Sequence, residues 1–248
     1  MEAFGRTDKG IVRKDNQDYF RIEALTEDKL LVAVVCDGMG GAKAGNVASK
    51  QAAETFVKAL SDQPSALLDD ELVDDALTDA ITAANQVVYE MSKTEADYKG
   101  MGTTLVGAVI CRKKSKWQAK IINVGDSRAY YIDAEGMTQL TKDHSLVEDM
   151  ITRGDITREE AVHHPSRNLI TRVVGTQPKL IRDLFTLDLK AGDRLLFCTD
   201  GLTNLISDEE LFEEIRHFTD LEKCSEMLIN LALSKGGPDN ITALMVGV

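Results

Sequence analysis

The chain has 248 residues, 43% hydrophobic and 28% charged, proportions that fit a globular protein and exclude a fibrous repeat or a disordered chain. Its net charge of −12 argues against nucleic acid or an anionic membrane as partner, since both are bound through many Lys and Arg contacts, and makes cations the more natural ligands. The longest apolar run, Leu30 to Cys36, is far short of the roughly 20 residues of a membrane span, and the N-terminus lacks a leader-like pattern. A soluble, cytoplasmic monomer without a membrane span is expected.

Strand-like runs stand at 30–36, 103–111, 117–124, 127–132, 194–198 and 241–247, several of them apolar throughout, which implies burial on both faces. Between the first two, a helix is expected over about 45–60. A longer one is expected over 70–96, where Leu72, Val73, Ala76, Leu77, Ala80, Ile81, Ala84, Val87, Val88 and Met91 recur at three- and four-residue intervals. Thr157 with Glu160 and Ser207 with Glu210 have capping-box spacing, so helices should begin there. A last amphipathic stretch covers about 220–234. The strands between 103 and 132 follow one another with short connections, the mark of antiparallel pairing. No linker or internal repeat divides the chain, and a single domain over 1–248 is expected.

Cys36, Cys111, Cys198 and Cys224 are widely spaced, with no partner at zinc-ligand spacing. Cys36 and Cys198 lie in apolar runs, where free thiols serve as small buried hydrophobes in a reducing compartment.

The chemistry points to a handful of aspartates. Leu30–Cys36 runs straight into Asp37-Gly38, and Leu195–Thr199 into Asp200-Gly201. Each carboxylate is thereby placed where a buried strand ends, before a glycine that permits a positive φ and a close backbone approach, so that the chain can turn sharply. Asp-Gly is also an ordinary turn signal; two such pairs after apolar strands say more than one. Asp18, in Arg13-Lys14-Asp15-Asn16-Gln17-Asp18, and Asp239, in Gly236-Gly237-Pro238-Asp239-Asn240, have similar turn-like settings. Scattered carboxylates without histidine suit hard divalent cations such as Mg and Mn.

At this level the sequence resembles the metal-dependent, protein phosphatase 2C type serine/threonine phosphatases (the PPM family) in their short bacterial form. The resemblance rests on six ordered blocks: Arg13 with Asn16-Gln17-Asp18, Asp37-Gly38-Met39-Gly40-Gly41, Gly102-Thr103-Thr104, Val124-Gly125-Asp126-Ser127-Arg128, Thr199-Asp200-Gly201 and Asp239-Asn240-Ile241-Thr242. It implies an α+β fold, a four-layer αββα sandwich of two antiparallel sheets flanked by helices. It also implies two Mn or Mg ions, with Asp37 bridging them, Asp18 and the Gly38 carbonyl contributing, and Asp200 and Asp239 holding the other metal.

A third, weaker ion would use Asp126 with Asp200; for Asp126 the alternative is a carboxylate that only fixes a turn. Arg13 would bind the phosphate, and a hydroxide bridging the ions would attack phosphoserine or phosphothreonine in line, without a phosphoenzyme. Segment 145–168 resembles the family's flap; a surface insertion without influence on substrate choice is its alternative. The implied partners are phosphorylated proteins, among them a serine/threonine kinase and its substrates.

Met39 stands where eukaryotic relatives carry a histidine proposed as general acid, so the resemblance assigns no acid here. Thr103 and Thr104 are expected to support packing, and His163, His164 and His217 to be solvated. Two other readings stay open: a catalytically inactive phosphatase-like binding module, and a hydrolase of small phosphate esters.

Overall fold

The computed structural model describes residues 1–26, 29–41, 44–94, 96–113 and 116–248. In chain order its elements are β1 (Glu2–Asp8), β2 (Asp18–Thr26), β3 (Leu30–Met39), α1 (Ala44–Ser61), α2 (Pro64–Leu67), α3 (Val73–Thr94), β4 (Gly102–Thr103), β5 (Leu105–Lys113), β6 (Lys116–Val124) and β7 (Arg128–Ile132). There follow β8 (Met137–Gln139), α4 (Leu146–Arg153), α5 (Arg158–Val162), β9 (Asp183–Leu189), β10 (Arg194–Cys198), α6 (Asp200–Thr203), α7 (Asp208–Ile215), α8 (Leu221–Ser234) and β11 (Ile241–Gly247).

The strands form two antiparallel sheets, ordered β1-β11-β10-β7-β8 and β2-β3-β5-β6-β9, with β4 paired to the far end of β3. Strand β3 shows why its sequence is apolar throughout. Leu30, Val32, Val34 and Cys36 pack under Ala48, Ala52 and Phe56 of α1 and Leu77 and Ile81 of α3. The alternate residues Leu31, Ala33 and Val35 meet Leu195, Phe197, Leu244 and Val246 of the other sheet. On the far side, Leu196, Cys198 and Met245 are covered by Cys224, Leu228 and Ile229 of α8.

Three apolar interfaces thus separate four layers, helix, sheet, sheet and helix, as expected. Each fully buried Leu, Ile or Phe in them contributes about 1.5–3 kcal/mol. All four cysteines are buried and unpaired. No helix among the described residues is long and apolar enough to cross a membrane.

The elements foreseen from periodicity are present with shifted ends. The long helix starts at Val73, leaving Leu72 about half exposed outside it. The run 103–111 is divided into β4 and β5 at Thr104, whose amide and hydroxyl turn to the backbone of Asp37. Strands β1, β2, β8 and β9 were not foreseen. They are the four sheet edges, where half the surface is open and charged residues are tolerated, so the hydrophobic signal is weak.

The settings of two aspartates also differ from expectation. Asp18 is the first residue of β2, and Asp37 lies inside β3, two residues before its end. Neither Gly38 nor Gly201 has positive φ; what each glycine supplies is room. A Cβ on Gly38 would stand 2.0 Å from the Gly45 carbonyl oxygen, where α1 begins, and one on Gly201 would stand 1.9 Å from that of Asn240.

Candidate metal centre

The chain crosses between the two sheets at one end of the sandwich, and there the acids collect. Asp18 and Asp37 are direct cross-strand partners in the β2–β3 ladder, so both side chains leave the same sheet face at a separation that disfavours like charges. Asp126 sits in the turn from β6 to β7, Asp200 opens the short helix α6 after β10, and Asp239 lies in the loop that enters β11.

The proton affinities of Asp18, Asp37, Asp126 and Asp200 reflect this crowding. Burial pushes Asp18 up to about 7, against two hydroxyl hydrogen bonds that lower it, with Asp200 and Asp239 adding repulsion. Burial, with Asp200 and Asp143 nearby, pushes Asp126 up to about 8. Asp37 lies well above the usual carboxylate range through burial and then the charges of Asp18, Asp200, Asp126 and Asp239. Asp200 is raised by burial and by Asp239. Asp37 and Asp200 are half-buried, so solvent moderates their share.

Side chains remote in sequence hold this cluster in place. The hydroxyls of Thr199 and Thr242 both donate to Asp18 Oδ2, at 2.8 and 2.7 Å. Asn204 donates to Asp200 Oδ2 at 2.9 Å. Thr103 Oγ1 donates to the Asp37 carbonyl, and the Asp37 amide donates to Thr104 Oγ1. Arg13 is half exposed at the rim, with Nη2 donating to Asp239 Oδ2 at 2.8 Å.

His144, for which the motifs supplied no role, is buried behind the Asp126 turn. Its Nδ1 accepts from the Gly125 amide at 3.0 Å, which leaves Nε2 to carry the proton of a neutral ring, with Asp183 Oδ2 at 3.1 Å and Arg172 Nη1 at 3.0 Å beside it. Burial lowers its pKa, in keeping with a neutral ring. The same backbone stretch closes segment 145–170: Ser145 bridges Ile170, and the Thr171 amide donates to the His144 carbonyl. His163 and His217 are exposed, and His164 is half buried.

Do these residues fit divalent cations? Oδ1 of Asp18 and Oδ1 of Asp126 are buried without any hydrogen-bond partner, and an unpaired buried carboxylate oxygen is costly unless a cation meets it. Among the described residues no three His, Cys, Asp or Glu side chains form a ready-made ligand set for a single ion. Hard cations of the Mg type do not require one, since they keep several waters and take only one or two carboxylates each. The donor set is therefore the right one: all oxygen, mostly carboxylate, spread along a cleft.

The fold is thus a two-sheet sandwich with helices outside, carrying a cluster of acids at one end with an arginine beside it. The family model described as Protein phosphatase 2C matches residues 11–232. The serine/threonine phosphatase stp of Listeria innocua is 39% identical, over 99% of this chain and 95% of the relative. The crystal structure of the serine/threonine phosphatase Stp1 from Staphylococcus aureus superposes with a TM-score of 0.91 at 37% identity, covering 100% of this chain and 94% of that one. The catalytic domain of the serine threonine protein phosphatase PstP, solved in complex with two manganese ions, gives a TM-score of 0.82 at 33% identity, covering 98% and 96%. This chain belongs to the protein phosphatase 2C family.

Proposed function

We infer that the chain hydrolyses phosphoserine and phosphothreonine in proteins at the carboxylate cleft. The observation that carries this is the convergence of Asp18, Asp37, Asp126, Asp200 and Asp239 with two buried oxygens unpaired. In this reading Asp37 would help to hold two Mn or Mg ions. Asp18 and the Gly38 carbonyl complete their surroundings, Asp200 and Asp239 hold the second ion, and Asp126 with Asp200 offers a third, weaker position. Bound cations supply an activated water as nucleophile and neutralise the phosphoryl charge.

The chain's own residues then bind and orient. Arg13, at the mouth of the cleft beside Asp239, has the planar fork that grips two phosphate oxygens at once. We read the helical segment 145–168, which begins directly after the His144 that meets the Gly125 amide, as a flap beside the site. Met39 has no proton to give, so leaving-group protonation is not assigned to that position. The inactive-module alternative would be marked by loss of metal acids, and here every acid is present.

Four buried free thiols favour a reducing, cytoplasmic setting, and the scattered exposed apolar side chains suit a monomer. Relatives named serine/threonine phosphatase support phosphoproteins as substrates; a serine/threonine kinase and its targets are the partners we propose.

Steady-state kinetics test the reading. The specificity constant should be higher for a phosphothreonine peptide than for p-nitrophenyl phosphate. Arg13→Ala should raise KM for the peptide about tenfold or more while lowering kcat less, the signature of lost phosphate binding. Preference for the small ester, or an unchanged KM, would count against it.

A further inference from the structure

We propose that Asn240 is the positioning residue of the phosphate-binding arginine: its side chain closes the loop between β1 and β2 and thereby aims Arg13 into the cleft. The proposal rests on the phosphate role inferred for Arg13 above.

Asn240 is 6% exposed and spends its whole amide on that loop. Nδ2 donates to the carbonyl of Lys9 at 2.9 Å and to that of Asp15 at 3.0 Å, while Oδ1 accepts from the Gln17 amide at 2.8 Å. One side chain thus ties together both ends of the nine-residue excursion, 9–17, that joins β1 to β2 and so one sheet to the other. Few residue types can do this. The site needs two donors and one acceptor on a short planar group, which asparagine has and aspartate, with acceptors only, does not.

The loop is pinned at further points. The Ile11 amide donates to the Gly237 carbonyl at 2.8 Å. Gly10, at φ +77°, lies so close to the 237–239 segment that a Cβ would stand 2.1 Å from the Asp239 carbonyl oxygen. At the other end, the Gln17 carbonyl receives the Ser49 hydroxyl at 2.6 Å and the Gly38 amide at 3.1 Å.

The side chains at the loop's middle are left outside. Ile11 is 64% exposed and Val12 69%, and the Arg13 side chain is 54% exposed. A backbone fixed in this way that presents exposed side chains is a preorganised platform, and preorganisation lowers the entropic cost of gripping a ligand. Because Asn240 follows Asp239 directly, the same two residues set both the arginine and a carboxylate that the arginine touches.

The test compares full-length, Mn-loaded Arg13→Ala, Asn240→Asp, Asn240→Ala and the two double variants. Competitive inhibition by inorganic phosphate, hydrogen exchange over residues 10–16 and calorimetric Mn affinity are the readouts. Asn240→Asp keeps the acceptor for Gln17 but turns a carboxylate on two carbonyls; Asn240→Ala removes all three bonds without adding charge and serves if the aspartate variant folds poorly.

Each Asn240 variant should weaken phosphate about tenfold or more, the scale on which outer-shell partners act. Each should also speed exchange in the loop, raise KM more than it lowers kcat, and leave Asn240→Ala within a few-fold of the wild type in Mn affinity. In the Arg13→Ala background the further loss should fall below about twofold, since both changes remove the same grip. Full additivity would overturn the proposal, placing Asn240 in the ion cluster instead. Normal phosphate affinity in folded Asn240 variants, with Arg13→Ala impaired, would overturn it while sparing the arginine's role. Normal affinity in Arg13→Ala would overturn both.

Discussion

Replacing Asp37 by Asn is expected to lower phosphopeptide turnover at saturating Mn by at least about 10³-fold while the variant becomes harder to melt in chelator. The first effect follows from position. Asp37 faces Asp18 across the ladder and feels the charges of Asp200, Asp126 and Asp239, so it is the carboxylate best placed to be shared between cations. Losing that charge forfeits several kcal/mol of transition-state stabilisation, and each 1.36 kcal/mol is tenfold in rate. The second effect follows from the same crowding. Without cations the folded state must either keep Asp37 protonated or hold like charges together, and a neutral amide of equal size relieves that cost by about 1 kcal/mol, a familiar exchange of function for stability. Phosphate release and thermal unfolding in EDTA measure the pair; loss of activity accompanied by a lower melting temperature would point to a structural role instead.

Stability should depend on pH in opposite ways with and without divalent ions. Asp18 and Asp126 have folded-state values of about 7 and about 8, above the ordinary carboxylate value of 3.8. Between pH 4 and pH 7–8 the unfolded chain has therefore lost protons that the native state still holds. Stability from these groups is full below the unfolded value and is lost as pH rises through the window, by about 1.4 kcal/mol per pH unit per group. In EDTA the melting temperature should thus fall from pH 5.5 to pH 8. With excess Mn the fall should vanish or reverse, because cations bind the ionised carboxylates and only the folded state offers the site. Coincident profiles in EDTA and Mn would refute the linkage.

What could be read in the sequence follows burial closely. Strands β3, β10 and β11, covered on both faces, appear as apolar runs. The four edge strands do not, although β9 (DLFTLDL) alternates exposed and covered positions in the two-residue period of a half-buried strand. The acids of the cleft were legible because each is embedded in a short ordered motif, and the structure brings all five to one end of the sandwich. Their settings were misjudged where a turn was assumed: glycines 38 and 201 admit neighbouring backbone and do not bend the chain to positive φ.

The supporting hydrogen bonds were not legible. Thr199 and Thr242 reach Asp18 from 181 and 224 residues away, Asn240 grips a loop as distant, and His144 meets the Gly125 amide only because the chain returns after β8. No local pattern encodes such pairings. The quoted motifs contained Thr199, Asn240 and Thr242, but gave no sign of which atoms they would hold.

The most direct test is phosphate release from a phosphothreonine peptide by the wild-type chain, first stripped of metal and then titrated with Mn. Activity is expected to be absent in EDTA, to appear with added Mn and to be lost again on chelation. A folded protein that stays inert with Mn across several phosphopeptides, or one that is equally active in EDTA, would contradict hydrolysis at the aspartate cleft.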